Sequence, residues 1–197
     1  DCTTIFTRWL HNVSCDQDKY GIVPMVVPND GPYPMTGKLI NMTAGEKGKA
    51  TSSGWGDAAV VVPYSMYQVT GNTSILRQQY DCMKRWCDYV IRQSAKTPKG
   101  STAPAEYEKY LWDTGYHYGE WLIPSQNKNG LDMKNLKKIM AMSSCYTAPV
   151  FGWNSIRLFS EIAALLGKEA DASYYSDVAA HMKKAIQHCI IRADGTM

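Results

Sequence analysis

No apolar run in this chain approaches the roughly 18 to 20 residues that a helix needs to cross a bilayer, so no membrane partner is expected. A basic stripe is also missing. Its 21 Lys and Arg are mixed with 18 Asp and Glu, giving a formal charge of +3, and charge spread in this way does not track a phosphate backbone, which argues against nucleic acid. Six cysteines (Cys2, Cys15, Cys82, Cys87, Cys145, Cys189) contain no C-x-x-C pair, and none of the 4 histidines completes a zinc-like set with them. No metal and no cofactor is therefore expected. Cys82 beside Met83 and Cys189 before Ile190 read instead as small hydrophobes of a core. There is no G-x-S-x-G, and no cysteine sits in a reactive setting, which disfavours a nucleophilic serine or cysteine enzyme. Alternating strand patterns are absent too, so the expected fold class is all-α.

The remaining composition is that of a folded chain. Of 197 residues, 45% are hydrophobic, enough for the core of one domain or of part of a larger one. The start, Asp1-Cys2-Thr3-Thr4, resembles neither a leader peptide nor an initiator context and reads as a cut end. Three sequons, at Asn12, Asn41 and Asn72, are too short to be informative.

Helical periodicity organises most of the length. Phe6, Trp9 and Leu10 share one face of a helix expected to end near His11, and Gly21 to Gly54, with four prolines, reads as a long loop. A helix starting at Asp57 stops at Thr70-Gly71-Asn72, and a second one carries Leu76, Tyr80, Met83, Trp86 and Val90 at three-to-four spacing. The same grammar returns in a helix with Ile156, Phe159 and Ile162 that stops at Gly167. A partner follows, with Tyr175, Val178, Met182 and Ile186. Aligning the two turns brings Tyr80 near the register of Tyr175, a weak internal repeat of helical hairpins. Between the hairpins, Tyr107 to Pro124 reads as an aromatic-rich loop, and a further helix from about Asp132 is expected to kink at Pro149. Successive hairpins with their long loops at one end describe an α/α toroid.

Two segments carry chemistry. Gly54-Trp55-Gly56-Asp57-Ala58-Ala59 and Tyr116-His117-Tyr118-Gly119-Glu120-Trp121-Leu122 each set an indole beside a carboxylate and a glycine. An indole covers the apolar face of a pyranose, a carboxylate accepts from its hydroxyls, and glycine permits close approach. The candidate carbohydrate-binding residues are thus Trp55, Asp57, Glu120 and Trp121. Taken singly, each tryptophan also reads as core, and Asp57 either bonds a sugar hydroxyl or caps its helix. His117, alone in its loop, reads as a hydrogen-bonded structural residue rather than an acid or base.

These segments resemble the catalytic domain of bacterial α-L-rhamnosidases, glycoside hydrolase family 78. The resemblance rests on Gly54-Trp55-Gly56-Asp57-Ala58-Ala59 leading into Val60-Val61-Val62-Pro63-Tyr64, on Thr70-Gly71-Asn72, and on Tyr118-Gly119-Glu120-Trp121-Leu122, where Glu120 replaces the family's aspartate. Leu166-Gly167-Lys168 followed by Asp171-Ala172-Ser173-Tyr174 extends it over nearly the whole chain. It implies a six-hairpin (α/α)6 barrel of which residues 1–197 form a part truncated at both ends. It also implies inverting hydrolysis of terminal α-L-rhamnose, with Trp55 and Trp121 lining the sugar site.

The family's general-acid stretch, ending GWTGDA, and its TTxWE-like general-base loop are not among these residues, so no catalytic residue is assigned and the isolated chain is expected to be inactive. Other (α/α)6 glycosidases of trehalase or glucoamylase type, and a non-catalytic helical carbohydrate-binding module, are the competing readings. Uncovered apolar faces of a partial toroid would favour self-association. The resemblance leans towards a periplasmic or secreted setting.

Overall fold

In the computed structural model the described residues are 2–29, 51–98, 100–115, 117–120 and 133–196. They form six helices and no strand: α1 Thr3–Asp16, α2 Ala58–Thr70, α3 Ser74–Ser94, α4 Ala105–Glu108, α5 Met133–Leu165 and α6 Glu169–Cys189. Two hairpins, α2/α3 and α5/α6, pack on each other mainly through α5, while α1 lies against α2 and α3 and α4 lies on α6.

Each hairpin turns where the sequence supplies glycine. Gly71, at φ 68°, takes a left-handed conformation that costs a residue with a Cβ, and its N–H closes on the Tyr67 carbonyl at 2.7 Å. The Asn72 side-chain oxygen then accepts the Ser74 N–H at 2.9 Å and starts α3. Gly167, at φ 70°, does the same between α5 and α6.

The apolar stripe of α3 (Leu76, Tyr80, Met83, Trp86, Val90) is buried as its spacing predicts, and meets Ile156, Phe159 and Ile162 of α5 and Tyr175 and Met182 of α6. Each such large side chain contributes about 1.5 to 3 kcal/mol on burial. The repeat acquires a physical meaning here, because Tyr80 and Tyr175 pack on the same ring, Phe159, at centroid distances of 5.0 and 4.8 Å. Their hydroxyls fasten the hairpins: Tyr80 donates to Asp171 at 2.7 Å, and Tyr175 donates to Asp88 while accepting from Lys84.

Four expectations are corrected. Helix α1 runs on to Asp16 rather than ending near His11, because Leu10 and Val13 prolong its buried stripe and the Gln17 amide, donating to the Gly21 and Cys82 carbonyls, fixes its exit. The helix expected to run from about Asp132 past Pro149 and the one carrying Ile156, Phe159 and Ile162 are a single helix, α5, with buried Pro149 inside it. A proline removes a single backbone bond, and the packing of Ala148, Ile156 and Phe159 outweighs that loss. The aromatic loop opens with a helical turn, α4. Cys82 and Cys87 are buried as read, but Cys2, Cys15 and Cys145 are exposed and Cys189 is half-buried.

Candidate functional site

The first motif forms a tight turn feeding α2. The N–H groups of Trp55 and Gly56 both bond the Ser52 carbonyl, at 3.2 and 3.0 Å, and Gly54 adopts φ 87°. The turn rests on the fully buried indole of Trp86: a Cβ on Gly56 would lie 2.2 Å from that ring, so only glycine fits. The glycine therefore admits a core tryptophan, where the sequence pattern suggested close approach of a ligand.

Asp57 is the buried knot of this turn, 1% exposed. Its Oδ1 accepts the Trp86 Nε1–H at 3.0 Å and the Ser155 hydroxyl at 2.5 Å, and its Oδ2 accepts the Gly54 N–H at 2.7 Å and lies 3.2 Å from the Ser53 hydroxyl. It occupies the N-cap position of α2, yet its side chain makes no capping bond there. Neither sequence reading, sugar-hydroxyl acceptor or side-chain cap, describes how its carboxylate is engaged in this structure.

The second motif docks on the first. The Ser53 N–H donates to His117 Nδ1 at 3.0 Å, and the Tyr118 N–H donates to the Ser52 hydroxyl at 3.2 Å. His117 Nε2 lies 3.2 Å from the Thr114 carbonyl, which fixes the tautomer with the proton on Nε2, since a backbone N–H already occupies Nδ1. Burial lowers its pKa from 6.5 to about 4, so the ring is neutral near pH 7 and serves as a strut. Beneath it, Trp112 meets His117 edge-on at 4.7 Å and joins Trp86 and Tyr89 in a buried aromatic cluster. Asp113, four residues earlier, is pushed up to about 6 by burial and then by the charge of Glu108.

This docking leaves an aromatic face open to solvent. Trp55 is 37% exposed, with the Tyr118 ring 4.8 Å away and tilted by 42°, and Phe151 of α5, 44% exposed, lies against Gly54. Glu120 is exposed two residues beyond Tyr118. Trp121 lies outside the described residues. Tyr118, Phe151 and Ser155 escape a local reading. Tyr118 is part of the quoted motif and could have been weighed, but Phe151 and Ser155, one helical turn apart on α5, reach the site only through the packing of α5 on the turn. Among the described residues no cluster of three His, Cys, Asp or Glu could hold a metal, and no helix is long and apolar enough to cross a membrane.

The family model for the bacterial alpha-L-rhamnosidase 6 hairpin glycosidase domain matches residues 1–197. The chain belongs to this family. Among its relatives, an alpha-L-rhamnosidase of Alteromonas sp. (strain LOR) is 27% identical over 89% of this chain and 15% of that protein. One from Streptomyces avermitilis is 28% identical over 96% of this chain and 14% of that protein. The chain thus spans about one seventh of the length of these relatives. Of the solved structures, the S. avermitilis alpha-L-rhamnosidase complexed with L-rhamnose superposes with a TM-score of 0.68 at 22% identity, over 98% of this chain and 14% of that one. The native Aspergillus terreus alpha-L-rhamnosidase superposes at 0.70 and 22% identity, over 100% of this chain and 19% of that one. These likenesses establish the fold: the two hairpins are part of an (α/α)6 barrel.

Proposed function

We propose that the protein containing this chain is an inverting α-L-rhamnosidase, and that residues 1–197 supply part of its catalytic barrel, including one wall of the sugar pocket. The observation that carries the reading is the meeting of the two motif segments, which sets the exposed indole of Trp55 against the ring of Tyr118. An aromatic face of this kind covers the apolar side of a pyranose, and the 6-deoxy methyl of rhamnose needs such cover. Phe151 extends the apolar surface, and Glu120 and Trp121, which follow Tyr118 in the sequence, are candidate contacts for the sugar.

In the proposed reaction, one carboxylic acid protonates the leaving oxygen while a second carboxylate activates water on the opposite face, the pair standing roughly 6.5 to 9.5 Å apart. Neither group is assigned to this chain. Its task is to bind and orient the sugar, and the isolated chain does not turn over substrate.

Hydrolysis of p-nitrophenyl α-L-rhamnoside by the full-length protein tests this. Trp55→Ala is expected to lower kcat/KM by about thirtyfold, the loss of about 2 kcal/mol of aromatic contact. Wild-type protein that leaves the rhamnoside intact, or a variant with unchanged kcat/KM, would overturn the reading.

A further inference from the structure

We infer that Asp57 is a positioning residue that sets the orientation of Trp55 by locking three separate elements together; the functional part of this inference rests on the reading of Trp55 as a sugar contact. The carboxylate binds its own turn through Gly54, binds α3 through Trp86, and binds α5 through Ser155. Trp55 sits between Gly54 and Asp57, so these bonds fix the backbone from which its indole projects towards Tyr118.

The chemistry requires an acceptor at both oxygens. Gly54 N–H and Trp86 Nε1–H are fixed donors that cannot reverse, and they point at different oxygens, Oδ2 and Oδ1 respectively. An asparagine amide, nearly the same in shape, has one acceptor and one donor end. Whichever way it faces, its NH2 meets one of these two N–H groups. Ser155 can turn its hydroxyl to accommodate either partner, and Ser53 has the Ala148 carbonyl at 3.2 Å as an alternative, so the conflict falls on the two N–H groups alone. The buried site, at 1% exposure, leaves water little room to relieve it. Relief comes by lifting the turn from Trp86 or by releasing the Gly54 N–H, and either shifts the backbone that carries Trp55 relative to Tyr118.

The test uses full-length protein labelled with 5-fluorotryptophan, the Trp55 resonance being assigned by its disappearance in Trp55→Phe. In Asp57→Asn, the Trp55 resonance is expected to shift or split, and the affinity for L-rhamnose to weaken by about tenfold. In a Trp55→Phe background, the same Asp57→Asn change is expected to cost less than about twofold, because the two act through one contact. Ser155→Ala, a milder change that keeps both fixed donors paired, is expected to move the same resonance and weaken affinity by about threefold, and carries the test should Asp57→Asn fail to fold.

Multiplicative losses in the two backgrounds, as direct bonding of Asp57 to the sugar would give, would overturn the inference. So would a Trp55 resonance unmoved in both variants. Wild-type protein that binds no L-rhamnose would overturn the sugar-site reading instead, and the fluorine spectra, recorded without sugar, would still decide the role of Asp57.

Discussion

His117 accepts the backbone N–H of Ser53 at 3.0 Å across 64 residues of chain, and this bond joins the two halves of the aromatic site. The ring can serve as an acceptor only while Nδ1 is unprotonated. Its tautomer is held by Thr114, and its neutrality by burial beside Trp112.

Stability should therefore depend on pH in a specific window. The folded pKa of His117, about 4, lies below the unfolded value of 6.5, so the unfolded chain takes up the proton first as pH falls. The contribution of His117 is fully present above pH 6.5 and is lost progressively down to pH 4, about 3 kcal/mol in all. Asp113 acts oppositely, its folded pKa of about 6 exceeding the usual 3.8, so protonating it favours the folded state over the same range. Urea midpoints between pH 7.5 and 4 are expected to fall more steeply in Asp113→Asn than in wild type, and to rise in His117→Gln, where Asp113 acts without its opponent. A fall in Asp113→Asn that survives the further change His117→Gln would refute the assignment.

Gly56→Ala should be costly, because the new Cβ would lie 2.2 Å from the Trp86 ring. The core must open or the turn must lift, at about 3 kcal/mol. Gly71→Ala provides the contrast: nothing lies within 4 Å of its Cβ, and the penalty is only the left-handed φ of 68°, about 1 kcal/mol. Equal losses in chemical denaturation would show that steric contact with Trp86 does not set the turn.

Tyr175→Phe removes a hydroxyl that both donates to Asp88 and accepts from Lys84, where α3 meets α6. The ring itself, fully buried against Phe159, is retained. A loss of about 1 kcal/mol in urea unfolding is expected, since Lys84 and Asp88 are partly solvated and can rehydrate. An unchanged midpoint would mean that packing alone holds the hairpins together.

Much of this architecture is determined locally. The three-to-four spacing of Leu76, Tyr80, Met83, Trp86 and Val90, and the glycines at 71 and 167, specify two helical hairpins because periodicity and turn chemistry act over a few residues. Trp55 was legible as a candidate sugar contact, but its motif alone does not say whether the indole faces core or solvent. The length of α1 and the joining of the helix through Pro149 with the one carrying Ile156 into a single α5 were not legible, since they depend on packing that local propensity does not contain.

The site follows the same division. The sequence by itself determined that indoles, carboxylates and glycines recur in two segments, and that these segments belong on helix-bearing loops. Only the tertiary structure decided which groups face solvent. Asp57 and Gly56 turn inward to Trp86, Trp55 turns outward to Tyr118, and Phe151 arrives from a distant helix. A residue's type fixes which bonds it can make, but whether those bonds go to the protein or remain open to a ligand depends on which partners the packed core brings within about 3 Å.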